Sequence, residues 1–375
     1  MRLSSISTKK LAATAPDATF SFFSTTKSNA SLFPTTNAFP NITPYNVGNC
    51  VPENYKFSGH PLEPVELFLK VTPGQLQHCC LSDDEEDKLH MSDAFFGILG
   101  DIADDIEVPW VPIWAPAASS LSLHCYTDLI RQTVGPDYNV KNDDPLTLVP
   151  GMPSALCVRD IPAEVLNGES TFFTMLHKMG KTITRDAAVA VNSFDELELS
   201  IIEDLKFKFR HCLSVRPFNL IPPPSSPSPS SDSDHNGCLD WLPGHEPASV
   251  ACIGFGTVMT PSRPEQAALA EAVEASGMPF IWSIPERAKA NLPQGFLERV
   301  GEKAKVVSWA PQTKVNDHGA TGVLLSHGGW ISVLESISGG VPMICRPFFG
   351  DQNINARLVS QVWKIGVELK DGKMT

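Results

Sequence analysis

Short apolar runs alternate with stretches of helical spacing along both halves of the chain, which predicts an α/β architecture. In the first half, strands are predicted at 19–24, 108–113 and 188–192. In the second half, strands are predicted at 249–255, 280–283, 305–308, 322–326 and 341–345. Helices are predicted over 266–276 and over 330–338, where apolar residues recur every three or four positions.

A segment rich in proline and serine separates the two halves. It holds almost no apolar residues and has proline at every second or third position over much of its length, so it cannot form a packed element. We therefore predict a linker over 221–236 between a domain at 1–220 and a domain at 237–375. A chain of 375 residues is long enough for two separate cores.

The most informative stretch is residues 309–352. Within it, a predicted strand ends at Ser326, a tight turn follows at His327-Gly328-Gly329, and a helix starts at Trp330. The turn brings backbone N–H groups and a helix N-terminus to one point, where the helix dipole favours an anion. Ser332 adds a hydroxyl in the first turn. This arrangement predicts a phosphate site.

Aromatic and polar residues surround that turn. Trp309 and Trp330 can offer flat faces to a base or a sugar. Glu335, Asp351 and Gln352 carry groups that bind hydroxyls. A phosphate site with an aromatic face and several hydroxyl-binding groups is typical of a nucleotide-sugar site.

The same stretch resembles the donor-binding signature of plant UDP-dependent glycosyltransferases, which belong to family 1 and have the GT-B fold. The matching residues are Trp309, Ala310, Pro311, Gln312, Val315, His318, Gly322, His327, Gly329, Trp330, Ser332, Glu335, Gly340, Val341, Pro342, Pro347, Asp351 and Gln352. Similarity to the flavonoid and anthocyanidin 3-O-glucosyltransferase branch extends over segments 20–25, 28–31, 192–197, 254–257 and 346–352. The resemblance implies two Rossmann-like domains with parallel sheets facing each other across a cleft, the first binding the acceptor and the second the UDP-sugar.

The resemblance also implies the donor-binding residues, which are Thr257, Trp309, Ala310, Gln312, His327, Gly329, Trp330, Ser332, Glu335, Asp351 and Gln352. The uracil would stack on Trp309, with Ala310 and Gln312 reading its edge. The ribose would bind Glu335. The diphosphate would bind at the turn and at Ser332, with Thr257 reaching it from the other side. The glucose would bind Trp330, Asp351 and Gln352.

On the acceptor side, transfer to a phenolic hydroxyl needs a general base, and a histidine oriented by a carboxylate suits that role. Asp93 matches the orienting aspartate of the family, although an aspartate at this position could instead cap a helix. The residues that match the acceptor pocket are Phe95, His124, Phe349 and Gly350. His124 could equally lie at the edge of the core.

The sequence departs from the family in two respects that bear on activity. Family members carry the catalytic histidine, after a first strand, ahead of the segment that resembles 11–24, and none of the ten histidines here occupies that position. The chain is therefore expected to be truncated, lacking this strand and the C-terminal helices of the family. In addition, Ile331 stands where the family has a phosphate-binding asparagine.

These observations leave two main hypotheses for the function. The first is a UDP-glucose:flavonoid 3-O-glucosyltransferase that inverts the anomeric centre without a metal or a cofactor, UDP-glucose being the donor substrate. The second is an impaired relative that binds UDP-sugar without efficient transfer. A different GT-B enzyme, such as an epimerase, is a weaker alternative because residues 309–352 do not favour it.

Composition and charge exclude several other classes. A net charge of −13 argues against nucleic acid and anionic membranes as partners. The nine cysteines form no Cys-x-x-Cys pair, which is typical of reduced thiols in the cytoplasm, and no metal site is visible. No apolar run reaches the roughly 18 residues that a membrane span requires. We expect a cytoplasmic monomer that binds a UDP-sugar and a small phenolic acceptor.

Overall fold

The computed structural model describes residues 2–33, 39–48, 55, 63, 67, 89–135, 143–167, 171–185, 187–215, 217, 234–256, 259–369 and 374. The chain divides into two compact units. Unit 1 comprises Met1–Asn139, Thr147–Met152 and Ala163–Ser228, and unit 2 comprises Val140–Leu146, Pro153–Pro162 and Pro229–Thr375. Most of the predicted linker lies outside the described residues. Two short segments, Val140–Leu146 and Pro153–Pro162, belong to unit 2, although the predicted boundary at 220 places them in the first domain.

Unit 1 contains two parallel sheets in the part of the chain that the structure describes. Its strands are β1 (Phe20–Thr25), β2 (Ile42–Val47), β3 (His90–Asp93), β4 (Trp110–Trp114), β5 (Val189–Asn192) and β6 (Cys212–Val215). Its helices are α1 (Arg2–Thr14), α2 (Thr26–Leu32), α3 (Ile98–Asp105), α4 (Ala118–Cys125), α5 (Thr127–Val134), α6 (Ala163–Leu166), α7 (Thr171–Thr182) and α8 (Leu199–Lys208). β1 pairs with β2, and the four-stranded sheet has the order β3-β4-β5-β6. Every residue of β4 and β5 is buried, as expected for parallel strands covered on both faces.

Unit 2 is built on a six-stranded parallel sheet with the order β12-β11-β10-β7-β8-β9. Its strands are β7 (Val250–Gly254), β8 (Phe280–Ser283), β9 (Ala304–Val307), β10 (Thr321–Ser326), β11 (Met343–Cys345) and β12 (Gly366–Glu368). Its helices are α9 (Cys238–Trp241), α10 (Arg263–Ser276), α11 (Glu286–Lys289), α12 (Phe296–Val300), α13 (Gln312–Asn316), α14 (Trp330–Gly339) and α15 (Gln352–Arg357), and a π-helical turn, Leu358–Val362, follows α15. The core on one face of the sheet centres on Phe280, Trp282 and Phe296.

Local sequence signals set the ends of the main helices of unit 2. Ser262 and Glu265 form a capping box at the start of α10, and Gly277 ends it in the left-handed conformation at φ 64°. Gly329 is the N-cap of α14, and Gly340 closes that helix at φ 64°. The first turn of α14 is therefore fixed directly after β10.

The strand order of unit 2 creates a topological switch point. From β7 the chain proceeds to β8 and β9 on one side, and from β10 to β11 and β12 on the other. The connections that leave the carboxyl ends of β7 and β10 therefore run in opposite directions and open a crevice between them, which is the usual ligand site of such sheets.

Every predicted strand overlaps an observed strand, and both predicted helices are present as α10 and α14. Four observed strands, β2, β3, β6 and β12, were not predicted. Among the described residues, no helix combines the length and the apolar character that crossing a bilayer requires. The monomeric state and the cytoplasmic location remain predictions.

Candidate functional site

The turn between β10 and α14 lies at the switch point of unit 2. Gly328 adopts φ +76°, and a Cβ at Gly329 would lie 2.5 Å from Nε2 of His327, so both positions require glycine. A Cβ at Gly256, in the loop after β7, would lie 3.1 Å from the same ring. The two loops of the switch point thus meet at His327, beside the N-terminus of α14.

His327 is neutral at physiological pH. Burial lowers the pKa of its imidazole to about 4. The Nδ1 atom lies 3.2 Å from Oγ of Ser326, in a pair whose donor depends on the tautomer. A neutral imidazole can donate one hydrogen bond to a bound anion but supplies no charge.

Three of the predicted donor-binding side chains form one hydrogen-bonded cluster. The Gln312 amide donates to Oγ of Ser332 at 3.1 Å and to Oε2 of Glu335 at 2.6 Å. Thr313 donates to Oε1 of Glu335 at 2.8 Å. Sequence reasoning did not include Thr313, although a hydroxyl next to Gln312 was the signal available. These bonds hold the Glu335 carboxylate in place beside Gln312 and Ser332.

The two tryptophans of the predicted site differ in exposure. Trp309 is 39% exposed, and its carbonyl accepts a hydrogen bond from the Asn236 amide at 2.6 Å. Trp330 is only 3% exposed, and its ring lies 6.2 Å from that of Trp363. Packing therefore leaves little of Trp330 exposed, and its contact with a sugar remains a prediction. Ala310, beside Trp309, is buried, so its backbone is the part that could contact a base.

The loop after β11 carries Asp351 and Gln352 at the start of α15. Burial raises the pKa of Asp351 to about 6. The Oε1 atom of Gln352 accepts hydrogen bonds from the backbone N–H groups of Phe348 at 2.8 Å and Phe349 at 3.3 Å, which fixes the orientation of the amide. Phe349 is 45% exposed, and Gly350 turns the chain at φ +64°.

An ion pair anchors this loop to the rest of unit 2. The Arg346 guanidinium binds the carboxylate of Glu265 and lies over the ring of Phe348. Glu265 also accepts hydrogen bonds from Ser262 at the start of α10. The start of the loop that holds Asp351 is therefore fixed to the start of α10.

The remaining predicted residues lie in unit 1, apart from Thr257, which falls outside the described residues. Asp93 ends β3, and its Oδ1 accepts the Phe95 N–H at 3.1 Å, while burial raises the pKa of its carboxyl group. It is not the cap of α3, whose N-cap is Gly97. Phe95 stacks on Trp114 with ring centroids 5.3 Å apart.

His124 occupies the core-edge position that the sequence left open. It is 5% exposed and makes an edge contact with Trp114, and burial lowers its pKa to about 4. An acceptor contact by His124 remains a prediction.

Comparison with known proteins agrees with the geometry of unit 2. The model of the UDP-glucoronosyl and UDP-glucosyl transferase family matches residues 244–375. An anthocyanidin 3-O-galactosyltransferase from Rhododendron delavayi is 49% identical over 98% of this chain and 82% of its own length. A flavonol 3-O-glucosyltransferase from Actinidia chinensis var. chinensis is 47% identical over 98% of this chain and 81% of its own length.

A solved structure shares the fold over nearly the whole chain. The crystal structure of a UDP-glucose: anthocyanidin 3-O-glucosyltransferase in complex with UDP superposes with a TM-score of 0.89 at 37% identity, covering 98% of this chain and 82% of that one. This likeness confirms the expected GT-B fold class. On these matches, the chain belongs to the UDP-dependent glycosyltransferase family, with anthocyanidin and flavonol 3-O-glycosyltransferases among its relatives.

Proposed function

We propose that this protein transfers a hexose from a UDP-sugar, preferably UDP-glucose, to the 3-hydroxyl of a flavonol or anthocyanidin, with inversion at the anomeric carbon. The observation that carries the proposal is the switch point of unit 2. There the glycine turn, the N-terminus of α14, the Gln312–Ser332–Glu335 cluster and the exposed ring of Trp309 are all built from one continuous stretch of chain.

Each part of this site suits one part of a UDP-sugar. Trp309 would stack on uracil, and Glu335, held by Gln312 and Thr313, would accept the ribose hydroxyls. The N-terminus of α14 and the hydroxyl of Ser332 would bind the diphosphate through oriented donors. These donors would also stabilise the charge that develops on UDP as the glycosidic bond breaks.

In an inverting transfer, a base removes the proton from the acceptor hydroxyl, and the oxygen attacks the anomeric carbon from the side opposite to UDP. The ionised carboxylate of Asp351 and the amide of Gln352 would orient the hexose for this attack. The amide orientation of Gln352 supports this role, since its oxygen is already bound to two backbone N–H groups. A glutamine at this position also fits glucose in the family better than a histidine would.

The names of the relatives support a flavonoid acceptor but divide over the sugar. One is a galactosyltransferase of anthocyanidins, and another is a glucosyltransferase of flavonols. We assign acceptor binding to the domain at 1–220, through Asp93, Phe95 and His124, and donor binding to the domain at 237–375. Phe349 and Gly350 would add acceptor contacts from the loop after β11.

The second hypothesis, a protein that binds UDP-sugar without efficient transfer, depends on which groups surround the carboxylate of Asp93. Among the described residues, the hydrogen bond at the Asp93 carboxylate comes from the Phe95 N–H, and no histidine is bound to it. A general base contributes about 10²–10⁴-fold to the rate, so its absence would reduce transfer while leaving donor binding in place.

Two measurements on the full chain separate these hypotheses. Calorimetry with UDP and UDP-glucose tests the donor site, and product formation from quercetin or cyanidin with UDP-glucose or UDP-galactose tests transfer. Binding with turnover that Asp93→Ala abolishes supports the proposed transferase. Binding without turnover favours the second hypothesis. Turnover that Asp93→Ala leaves unaffected would contradict the role assigned to Asp93 and the second hypothesis alike. Failure to bind UDP would overturn both.

Ile331 provides a separate test of the diphosphate site. It occupies the first turn of α14, where the family has an asparagine, and an isoleucine side chain cannot donate to phosphate. Ile331→Asn should strengthen UDP binding by about 1.5 kcal/mol or more, roughly tenfold, if it adds one charge-assisted hydrogen bond. Ile331→Leu serves as the matched control, and an equal affinity for both variants would contradict the assigned phosphate contact.

A further inference from the structure

Asn355 contacts two parts of the proposed donor site, although the proposed function gives it no role. It is on α15, four residues after Asp351 and therefore on the same face of that turn. Its side chain is completely buried. The Nδ2 atom donates to Oδ2 of Asp351 at 3.0 Å and to the carbonyl oxygen of Gly328 at 3.0 Å. One amide group thus binds both the loop after β11 and the turn after β10.

The orientation of this amide follows from its neighbours. Both contacts of Nδ2 are with oxygen atoms that only accept hydrogen bonds, because one belongs to a carbonyl and the other to a carboxylate. The Oδ1 atom of Asn355 is buried without a partner among the described residues. Rotating the amide by half a turn would place an oxygen against both acceptors. The NH₂ group must therefore be the side that faces Asp351 and Gly328.

The bond to Gly328 also fixes a donor of the phosphate site. A trans peptide unit is planar, and its C=O and N–H groups point in opposite directions. Holding the Gly328 carbonyl toward Asn355 therefore sets the direction of the Gly329 N–H, which belongs to the same peptide unit and lies at the N-cap of α14. Gly328 has φ +76°, a conformation from which glycine can rotate easily, so this peptide gains from an external constraint.

We infer that Asn355 is a positioning residue that orients the sugar-binding carboxylate of Asp351 and the phosphate-facing peptide of Gly328–Gly329 together. The inference rests on the proposed function, because that function assigns Asp351 to the sugar and Gly329 to the diphosphate. Through Asn355, the two parts of the donor site take up one common arrangement before the ligand arrives.

The electrostatics of Asp351 provide a readout that a merely structural role would not change. Burial raises the pKa of Asp351, and the hydrogen bond from Asn355 lowers it. Removing that bond should move the pKa further upward. His327 is neutral above about pH 4, so it does not titrate in the same range.

Other charged groups lie on the elements packed against α15. They are Glu335 on α14, Glu368 on β12, Arg159 and Asp160 on the 3₁₀ turn Val158–Asp160, and Arg357 at the end of α15, which pairs with Asp160. A substitution at Asn355 leaves each of these charged side chains in the protein. A shift in the titration of sugar binding on such a substitution would therefore report on the contact between Asn355 and Asp351.

The test compares Asn355→Leu with the native full chain. Leucine keeps the number and branching of the side-chain heavy atoms and removes both donors. Calorimetry at about pH 8 with UDP should show a loss of affinity of roughly tenfold, because the Gly329 N–H is no longer held. In the native protein, the affinity for UDP-glucose should fall as the pH is lowered and Asp351 becomes protonated. In Asn355→Leu, calorimetry between about pH 5 and pH 8 should show this fall at a higher pH. UDP-glucose suits this titration because its diester phosphates do not titrate in that range.

Four further variants make the result specific. Asn353→Ala, partly exposed on the same helix, should match the native protein in both measurements. The affinity of Asp351→Asn for UDP-glucose should not fall at low pH. Adding Asn355→Leu to this variant should not introduce such a fall. Asn355→Ser, which keeps one donor on a shorter side chain, should show the same shifts as Asn355→Leu if the leucine variant does not fold.

The outcomes separate the inference from the proposed function. Native UDP affinity and a native acid transition in a folded Asn355 variant would overturn the inference alone. So would unfolding of both the leucine and the serine variants, since it would assign Asn355 to the folding of unit 2. Failure of the native protein to bind UDP-glucose would overturn the proposed function and this inference together.

Discussion

At the scale of single residues, the burial of Asp351 weakens the fold at neutral pH. Its folded pKa of about 6 is higher than the roughly 3.9 of an unfolded aspartate. The folded state therefore binds the proton more tightly. The stability that protonated Asp351 contributes is fully present below about pH 4 and is lost as the pH rises through about 6.

Asp351→Asn should consequently stabilise the ligand-free protein at neutral pH. We expect the free energy of unfolding to rise by about 2 kcal/mol at pH 8 and to change little near pH 4, as measured by urea denaturation. The exposed Asp317→Asn is the control at both pH values. A less stable Asp351→Asn at pH 8 would show that the carboxylate is better solvated than its pKa indicates.

Residue positions were predictable from sequence where they depend on local chain geometry. The turn at 327–329 and the position of Ser332 follow from a strand, two glycines and a helix in succession. The contact of Asn355 with Gly328 was not predictable, because residues far apart in sequence meet only through the packing of α15 on α14. The burial of Trp330 was missed for the same reason, since Trp363 covers its ring.

At the scale of elements, strands were predicted where they carry an apolar run. β2 reads Ile-Thr-Pro-Tyr-Asn-Val with only its end residues buried, and β3 reads His-Met-Ser-Asp with none buried. Neither gives an apolar run of the length that a buried strand shows. The three residues of β12 extend the edge of the sheet beside β11 and were missed because so short a strand carries no pattern of its own.

The 3₁₀ turn Val158–Asp160 is attached to α15 by a buried ion pair that spans distant parts of the sequence. Nε of Arg357 lies 3.2 Å from Oδ2 of Asp160, and the two side chains are 12% and 5% exposed. Removing one partner leaves the other charge buried. We therefore expect Asp160→Ala to reduce the free energy of unfolding by about 3 kcal/mol.

The matched control is Asp143→Ala, whose aspartate pairs with Arg159 at the surface, with exposures of 68% and 39%. That change should cost less than about 1 kcal/mol. Because Asp160 also accepts the Cys157 N–H at 2.9 Å, a double-mutant cycle with Arg357→Ala isolates the pair. A coupling energy near zero would show that the ion pair does not hold this segment.

At the scale of the whole molecule, the net charge opposes the proposed ligand. The chain carries −13 at neutral pH, and UDP is also an anion. Long-range repulsion should slow their encounter, and salt should screen it. We expect the association rate of UDP to increase with ionic strength in stopped-flow measurements, whereas that of uncharged uridine should stay constant. A rate that decreases with salt would show that a local positive potential at the site outweighs the net charge.

The contrast between Trp309 and the other tryptophans gives the protein an intrinsic optical probe. Of the seven tryptophans, Trp110, Trp114, Trp282 and Trp330 are at most 3% exposed, whereas Trp309 is 39% exposed. Water around an exposed indole shifts its emission to the red and makes it accessible to acrylamide, so Trp309 will contribute strongly to the red edge of the spectrum. A base stacked on that ring would quench this part of the emission and leave the buried indoles bright. Ligand occupancy can then be followed by fluorescence without any label.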